Sequence, residues 1–336
     1  MIEPVHAWTA YPRPAGLPPV TVRDPSWPLV SVVTPSLNQG AFIRATIESV
    51  LGQDYPNIEY WVMDGGSTDG TLEVLRAYES DSRFHWVSAP DAGQSDAINR
   101  GWSRCRGDVL AWLNSDDTYR PAALRTQVAA LRAHAECGVV YGDALYVDAA
   151  GAPVQMAYGR AYRVAELLRL TIPVQPTVFL RRDVVERIGP VDTRFHSSMD
   201  SEYWVRAARV TTFWYEPRLI ATYRWHARSK TVAAARGFYG DWLAILDNFF
   251  ADSARQDFPR RERDRIYADL YATQARLEAS GGALRSAATY AWRALARGGL
   301  RPRLFTVPLA LCDRLIPLRL YSRFEGWWTA RQSRRR

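Results

Sequence analysis

The sequence predicts an α/β protein: a parallel-type sheet with helices on both faces, followed by a helical region. Three observations carry this. Between Leu29 and Tyr141, short runs of strand-forming residues alternate with segments of helical periodicity, as strand–helix–strand units do. Within them, Val109-Leu-Ala-Trp-Leu-Asn-Ser-Asp-Asp117 ends an apolar strand abruptly in Asn114, Asp116 and Asp117. From Arg236 onward the strand signals cease.

The elements follow in order. Residues 1–28 read as an extended lead-in, because Pro12, Pro14, Pro18, Pro19, Pro25 and Pro28 exclude regular structure. Leu29–Thr34 is a buried strand. Ala41–Leu51, apolar at 43, 47, 50 and 51, suits a helix packed on a sheet. Ile58–Met63 and Phe84–Ser88 read as the next strands, with helices at Gly70–Tyr78 and Ser95–Arg104, and Val109–Leu113 as the fourth strand. Pro121 opens a helix to about His134, since proline suits a first helical position. Val139–Tyr141 is a further strand. After Gly151 the alternation loosens into strands at 155–158, 177–180, 212–215 and 219–225, with short helices at 183–188 and 200–208. Helices are expected at 236–250, 260–279 and 282–297, the last two as a hairpin around Ser280-Gly-Gly282.

Composition narrows the class. Of 336 residues, 47% are hydrophobic and 23% charged, as in a folded globular protein. Cys105, Cys137 and Cys312 are far apart and lack metal-ligand spacing, so they read as reduced thiols. No apolar run reaches the roughly 18 residues of a membrane span. The net charge of +8 is segregated: residues 301–336 hold nine arginines against Asp313 and Glu325, a local charge of +7. Pro308 and Pro317 interrupt the apolar residues there, and Trp327 and Trp328 precede Arg331–Arg336. Aromatic residues beside arginines suit an anionic membrane surface better than nucleic acid, although a packed helix with a basic end fits equally well.

Carboxylates at the end of a buried strand are costly unless their charge is compensated. In an open α/β sheet that end is also where ligands bind. A divalent cation holding a diphosphate is the simplest compensation, and hard oxygen ligands suit Mg²⁺ or Mn²⁺.

Four segments, in order, resemble the family 2 glycosyltransferases. They are Ser31-Val-Val-Thr-Pro-Ser-Leu-Asn38 with Gln53-Asp-Tyr-Pro56; Val62-Met-Asp-Gly-Gly-Ser-Thr-Asp-Gly-Thr71; Asp91-Ala-Gly-Gln-Ser-Asp-Ala-Ile-Asn-Arg-Gly101 leading to Gly107–Asp117; and Gly189-Pro-Val-Asp192 with Met199-Asp-Ser-Glu-Tyr-Trp-Val-Arg206. The resemblance covers about residues 29–230. It implies a GT-A type, Rossmann-like fold with a mixed, mostly parallel sheet over 29–235. Residues 29–150 would bind the nucleotide and 151–235 the acceptor, and the helical region would span 236–336. It also implies an inverting, metal-dependent hexosyl transfer from a nucleotide-diphosphate sugar to a hydroxyl acceptor in polysaccharide or lipid-linked glycan assembly; the body would be cytoplasmic, with the tail 301–336 docking it on the inner face of the membrane.

On this reading the donor site comprises Thr34, Pro35, Ser36, Asp64, Asp91, Asp96, Ser115 and Asp116. The first three leave a strand in an extended turn that can line a nucleoside. Asp64 and Asp91 can accept hydrogen bonds from a base N–H or a ribose hydroxyl. Asp96 fits a helix N-terminal charge equally well, and Asp69 in Ser67-Thr-Asp-Gly-Thr71 reads as capping chemistry. Gly65 stands where the family often has a second acid on the base edge, which leaves UDP, GDP and dTDP open. Asn114-x-Asp116 resembles the family's Asp-x-Asp metal motif with an amide in the first place. Mn²⁺ or Mg²⁺ is assigned mainly to Asp116, with Asp117 and His226 as further candidates. Asp200 matches the family's catalytic aspartate, and Met199 stands where a glutamate is common. Gln175, Glu202, Arg224, Arg228 and Lys230 are candidates for acceptor or diphosphate contacts. The alternatives are a non-catalytic sugar-nucleotide binder or scaffold and, less favoured, a nucleotidyltransferase. The latter would want a glycine-rich basic loop that Thr34-Pro-Ser-Leu-Asn-Gln-Gly40 does not supply.

Overall fold

The computed structural model describes residues 23–169, 172–226, 229–230, 238–251 and 258–298. The chain divides into two units, one formed by 1–167 and 171–238, the other by 168–170 and 239–336.

The first unit is built on a nine-stranded mixed sheet. β1 (Val30–Ser36) lies between β2 (Ile58–Asp64) and β4 (Val109–Trp112), with β3 (Phe84–Ser88) outside β2, and all three pairings are parallel. The crossovers are α1 (Ile43–Leu51), α2 (Thr71–Arg76) and α3 (Gln94–Trp102). β1, β2 and β4 are buried at every position. Covered on both faces, they read in sequence as continuous apolar runs rather than alternations.

Beyond β4 the directions mix. β8 (Phe179–Arg181) runs antiparallel to β4 and to β6 (Cys137–Val147), and β9 (Thr212–Arg224) runs parallel to β6. β5 (Thr118–Tyr119) and β7 (Pro153–Ala157) pair antiparallel with β9 and β6. Strands β1–β4, β6 and β9 therefore point one way, and their C-terminal ends lie on one side of the sheet.

Several boundaries differ from the sequence pattern for identifiable reasons. The runs at 212–215 and 219–225 form one strand. Register shifts opposite Gly142 and Asp143 absorb the Glu216-Pro-Arg218 interruption. α4 (Ala123–Ala133) starts two residues after Pro121, because Ala122 adopts a left-handed φ of 62°. A 3₁₀ turn at Gln175–Thr177 delays β8. β5 and the four-residue α5 (Val164–Leu167) are too short to show a period.

α6 (Arg182–Ile188) leads to α7 (Met199–Ala207). Aromatic packing fixes α7 against the sheet. Trp112 of β4 stacks on Trp204 with centroids 5.0 Å apart, and Trp102 of α3 meets Trp112 edge-on at 5.4 Å. Asp200 is thereby set relative to the end of β4.

The second unit is helical: α8 (Phe238–Ala251), α9 (Arg260–Gly281) and α10 (Leu284–Gly298). α9 and α10 form the expected hairpin, turning at Gly282, whose φ of 83° suits glycine. Buried alanines at 272, 275, 279, 287 and 294 let the two helices approach closely. No described helix is long and apolar enough to cross a membrane. Residues 1–22 and the basic stretch 301–336, with Cys312, lie outside the described residues, whereas Cys105 and Cys137 are buried free thiols.

Candidate active site

The chain leaves β4 through Leu113 into a tight turn in which the Asp117 N–H donates to the Asn114 carbonyl at 3.1 Å. The Thr46 hydroxyl of α1 lies 2.9 and 2.8 Å from the Ser115 and Asp117 carbonyls and anchors the turn from beneath. β5 then pairs with β9 and brings Tyr223 and Arg224 alongside. The turn faces a cavity of about 460 Å³, within the size range of small-molecule sites. Pro35, Ser36, Asp91, Ser115, Asp116, Asp117, Gln175, Asp200, Arg224 and Lys230 all line it. Ten of the predicted residues, spread over nearly two hundred positions, thus converge on one hollow at the strand ends.

The carboxylates there differ sharply. Asp117 is 1% exposed; its Oδ1 accepts the Arg224 N–H at 2.8 Å and its Oδ2 faces Asn114 Nδ2 at 3.4 Å. Burial, with the charge of Asp116 beside it, pushes its carboxyl well above the usual range, against those hydrogen bonds. Asp117 therefore ties the end of β9 to the turn, an occupation that competes with its candidacy as a cation ligand. Asp116 stays partly exposed, and its Oδ2 lies 3.0 Å from His226 Nε2. The His226 ring packs on Phe42 with centroids 4.9 Å apart.

Asp200 is the second residue of α7, and its Oδ1 accepts the Ser201 N–H at 2.7 Å. Burial raises its carboxyl above the ordinary value, while the Ser201 hydrogen bonds and the Lys230 charge pull the other way. The result is a carboxylate with heightened basicity on the cavity wall.

Other predicted residues have different occupations. Asp64 is 2% exposed and accepts from the Gly66 and Ser67 N–H groups at 3.1 and 2.9 Å and from the Ser67 and Ser88 hydroxyls. Its acceptors are taken by the loop after β2 and by Ser88 at the end of β3, so it holds that loop in place. The space above Gly65 belongs to Asp91: a side chain at 65 would place its Cβ 2.9 Å from Asp91 Oδ2. Asp96 accepts the Ala92 N–H at 3.0 Å and pairs with Arg100 at 2.8 Å, the first-turn role that competed with donor contact. Thr34 is buried against the Tyr60 hydroxyl at 2.9 Å. Glu202 turns away from the cavity and grips Arg206 at 2.6 and 2.8 Å; Arg206 in turn holds the Ile188 and Pro190 carbonyls. It orients that loop. Arg224 lines the cavity but spends Nε on the Asp116 carbonyl at 3.0 Å and Nη1 on those of Asp148 and Ala149 at 3.1 Å. Asp69 caps as expected, accepting the Thr71 and Gly40 N–H groups. Arg228 lies outside the described residues.

Sequence reasoning missed Gln94, His196 and Tyr223, which also line the cavity. Gln94 sits within a quoted motif, but its signal is the partner Asn114, twenty residues away. His196 lies in a loop with no pattern of its own.

Known proteins share this architecture. The family model for glycosyl transferase family 2 matches residues 31–189. A PGL/p-HBAD biosynthesis glycosyltransferase of Mycobacterium bovis is 28% identical over 226 residues, covering 66% of this chain and 82% of that protein. Among solved structures, S. aureus TarS in complex with UDP-GlcNAc superposes with a TM-score of 0.60 at 16% identity, over 85% of this chain and 88% of that one. The mannosyltransferase PcManGT of Pyrobaculum calidifontis, in complex with GDP-Man and Mn²⁺, gives 0.55 at 22% identity over 93% and 87%. With its motif-bearing strands, its rim cavity and a segment, 31–189, that matches the glycosyl transferase family 2 model, the chain is a glycosyltransferase of the GT-A fold.

Proposed function

We propose that this glycosyltransferase moves a sugar, with inversion at the anomeric carbon, from a nucleotide diphosphate to an acceptor hydroxyl in polysaccharide or lipid-linked glycan assembly. The observation that carries the reading is that Asp200, basic through burial, and Asp116, which is paired with His226, line one rim cavity. Asp200 Oδ would take the proton of the acceptor hydroxyl as its oxygen attacks the anomeric carbon and the bond to the diphosphate breaks. Lys230, which lines the same cavity, would offset the charge of the departing diphosphate. Asp91 would read the base edge or ribose from beside Gly65, with UDP, GDP and dTDP as candidate carriers.

A divalent cation fits the residues present. Two ligands in cis positions around Mg²⁺ or Mn²⁺, each about 2.1 Å from the metal, stand about 3 Å apart, and Asp116 Oδ2 and His226 Nε2 are separated by 3.0 Å. Among the described residues no cluster of three His, Cys, Asp or Glu side chains could hold a metal. The remaining positions would fall to phosphate oxygens and water. When bound, such an ion supplies Lewis-acid stabilisation of the leaving diphosphate. The presence of Mn²⁺ with GDP-Man in the mannosyltransferase supports a divalent cation as the kind of ion involved.

The test is donor turnover across UDP-, GDP- and dTDP-sugars, with and without Mn²⁺, with the product anomer read by NMR. The expected result is one nucleotide class consumed in a Mn²⁺-dependent way, with inverted configuration. Retention of configuration would overturn the role given to Asp200, and turnover indifferent to chelation would overturn the cation assignment.

A further inference from the structure

The last residues of β9 alternate between two duties. Arg224 and His226 face the turn after β4. Arg224 Nε donates to the Asp116 carbonyl at 3.0 Å, and His226 Nε2 lies 3.0 Å from Asp116 Oδ2. Both side chains pack on Phe42, 5.1 and 4.9 Å from its ring centre. Tyr223 and Trp225 point the other way, as a strand's period of two requires. Both pack on Tyr146 of β6, each with ring centroids 5.2 Å from it. Pairing fixes the arrangement: Tyr223 lies opposite Tyr146, and the Trp225 N–H donates to the Val147 carbonyl at 2.7 Å, one residue past the strand.

The three rings form one surface. Tyr146 meets Tyr223 at 50° and Trp225 at 37°, so the rings make a bent shelf rather than a closed stack. Tyr223 lines the cavity, while Trp225 is 41% exposed. A lone exposed ring is ordinary, but this one carries an aromatic surface out of a ligand cavity. In the sheet, β8 separates β4 from β6, so β6 and β9 lie across β4 from β1–β3, whose loops bring Pro35, Ser36 and Asp91 to the cavity. The shelf therefore lies across the turn from the residues assigned to the nucleotide. Its chemistry is amphipathic: ring faces match the C–H faces of a pyranose, and tyrosine hydroxyls at their edges suit its hydroxyls. An alkyl chain would call for an unbroken aliphatic wall, which these rings do not make.

We propose that Tyr223, Tyr146 and Trp225 form an acceptor subsite for a glycan chain, in which the sugars behind the one bearing the attacking hydroxyl lie across the rings. The acceptor is then an oligosaccharide rather than a single sugar or a simple alcohol. This deepens the transfer reading and rests on it. Binding energy from such unreacting parts of a substrate can be used to orient the reacting hydroxyl, so it appears in kcat as well as KM.

The test measures transfer from the nucleotide sugar that the full chain consumes. The acceptors are saccharides of one, two and three residues in the glucose, galactose, mannose and N-acetylglucosamine series, with decanol and benzyl alcohol beside them. Saturation-transfer NMR follows binding of the same compounds with UDP, GDP or dTDP present. In one series, kcat/KM and binding should rise with length, by about tenfold from one residue to three. Trp225→Ala should flatten that rise and Trp225→Phe restore most of it. Tyr158→Ala, which removes an exposed ring just past β7 and outside the shelf, should keep it. A rise that survives in folded Trp225→Ala overturns the subsite. So does a native chain that prefers decanol or benzyl alcohol to every saccharide, or that binds no saccharide. Trp225→Ala that weakens nucleotide diphosphate binding and leaves the length dependence intact would hand the rings to the donor, and overturns it equally. A native chain that consumes no nucleotide sugar fails the transfer reading itself, whereas length-independent transfer by a working enzyme fails the subsite alone.

Discussion

Asp200 works against its own surroundings. Burial raises its carboxyl, so between the ordinary value near 3.9 and the raised one the folded chain keeps a proton that the unfolded chain has lost. Its contribution to stability therefore declines as pH rises through that window and stays depressed above it. Asp200→Asn removes this liability while an amide oxygen can still accept the Ser201 N–H. Transfer should fall by about 10²–10⁴-fold, the usual weight of a general base. The melting temperature at pH 7 should equal or exceed that of the native chain, read by circular dichroism. The native pH–rate profile should lose activity on its acid side at a pH above the ordinary carboxylate value. Near-native transfer by the variant would remove Asp200 from the chemistry. Gly65 gives a second residue-scale prediction. Its φ lies outside the left-handed region, so alanine fits the backbone, but its Cβ would press on Asp91 Oδ2 at 2.9 Å. Gly65→Ala should weaken diphosphate binding about tenfold, the scale of one charge-assisted hydrogen bond, with little change in melting; unchanged affinity by calorimetry would take Asp91 out of the donor site. The positions of Asp91, Asp116 and Asp200 were legible in the sequence because each follows or opens an element with a clear period. What Asp64 and Glu202 do was not legible. Their roles depend on which donors surround them, and Ser88 and Arg206 carry no mark of that duty in the chain.

At the scale of elements, α3 shows how the parallel half is held. Gly101 lets this helix lie directly on β1 and β2: a methyl there would overlap both Val33 methyls and come within 3.1 Å of Met63 Cγ. Two effects compete in Gly101→Ala. Helix propensity favours alanine by at most about 1 kcal/mol, whereas overpacking a close-packed interior costs about 1–3 kcal/mol. The overlap is with the branched, buried side chain of Val33, so overpacking wins. Urea unfolding should show a net loss of about 1–2 kcal/mol, and adding Val33→Ala should recover part of it, a coupling expected only of touching residues. Additive effects would mean that the helix relaxes away from the sheet. The four parallel strands and their helices were readable because burial on both faces leaves unbroken apolar runs. The mixed half was less so. β5 pairs through two residues, and β9 continues past Pro217 by bulging against β6, a tertiary accommodation with no local signature.

At the scale of the whole molecule, chemistry and charge occupy different stretches. Every residue that lines the cavity lies in the first unit. Yet +7 of the net +8 falls in residues 301–336, and the preceding 300 residues carry only +1. A catalytic requirement for that charge would place arginines near the diphosphate, whereas the described cavity takes its cations from Arg224 and Lys230. The arginine-rich stretch fits attraction to an anionic leaflet, where each basic side chain near the surface adds about 1 kcal/mol. Such attraction weakens as salt shortens the Debye length toward 3 Å. Removing 301–336 should therefore abolish sedimentation with phosphatidylserine vesicles while leaving nucleotide binding and donor turnover within about twofold of the full chain. The full chain should release from those vesicles as salt rises and ignore vesicles of zwitterionic lipid. Equal vesicle binding by the shortened chain would move the membrane contact elsewhere. Loss of donor turnover on shortening would mean that the stretch supports the catalytic unit, and its charge would then need a partner within the protein.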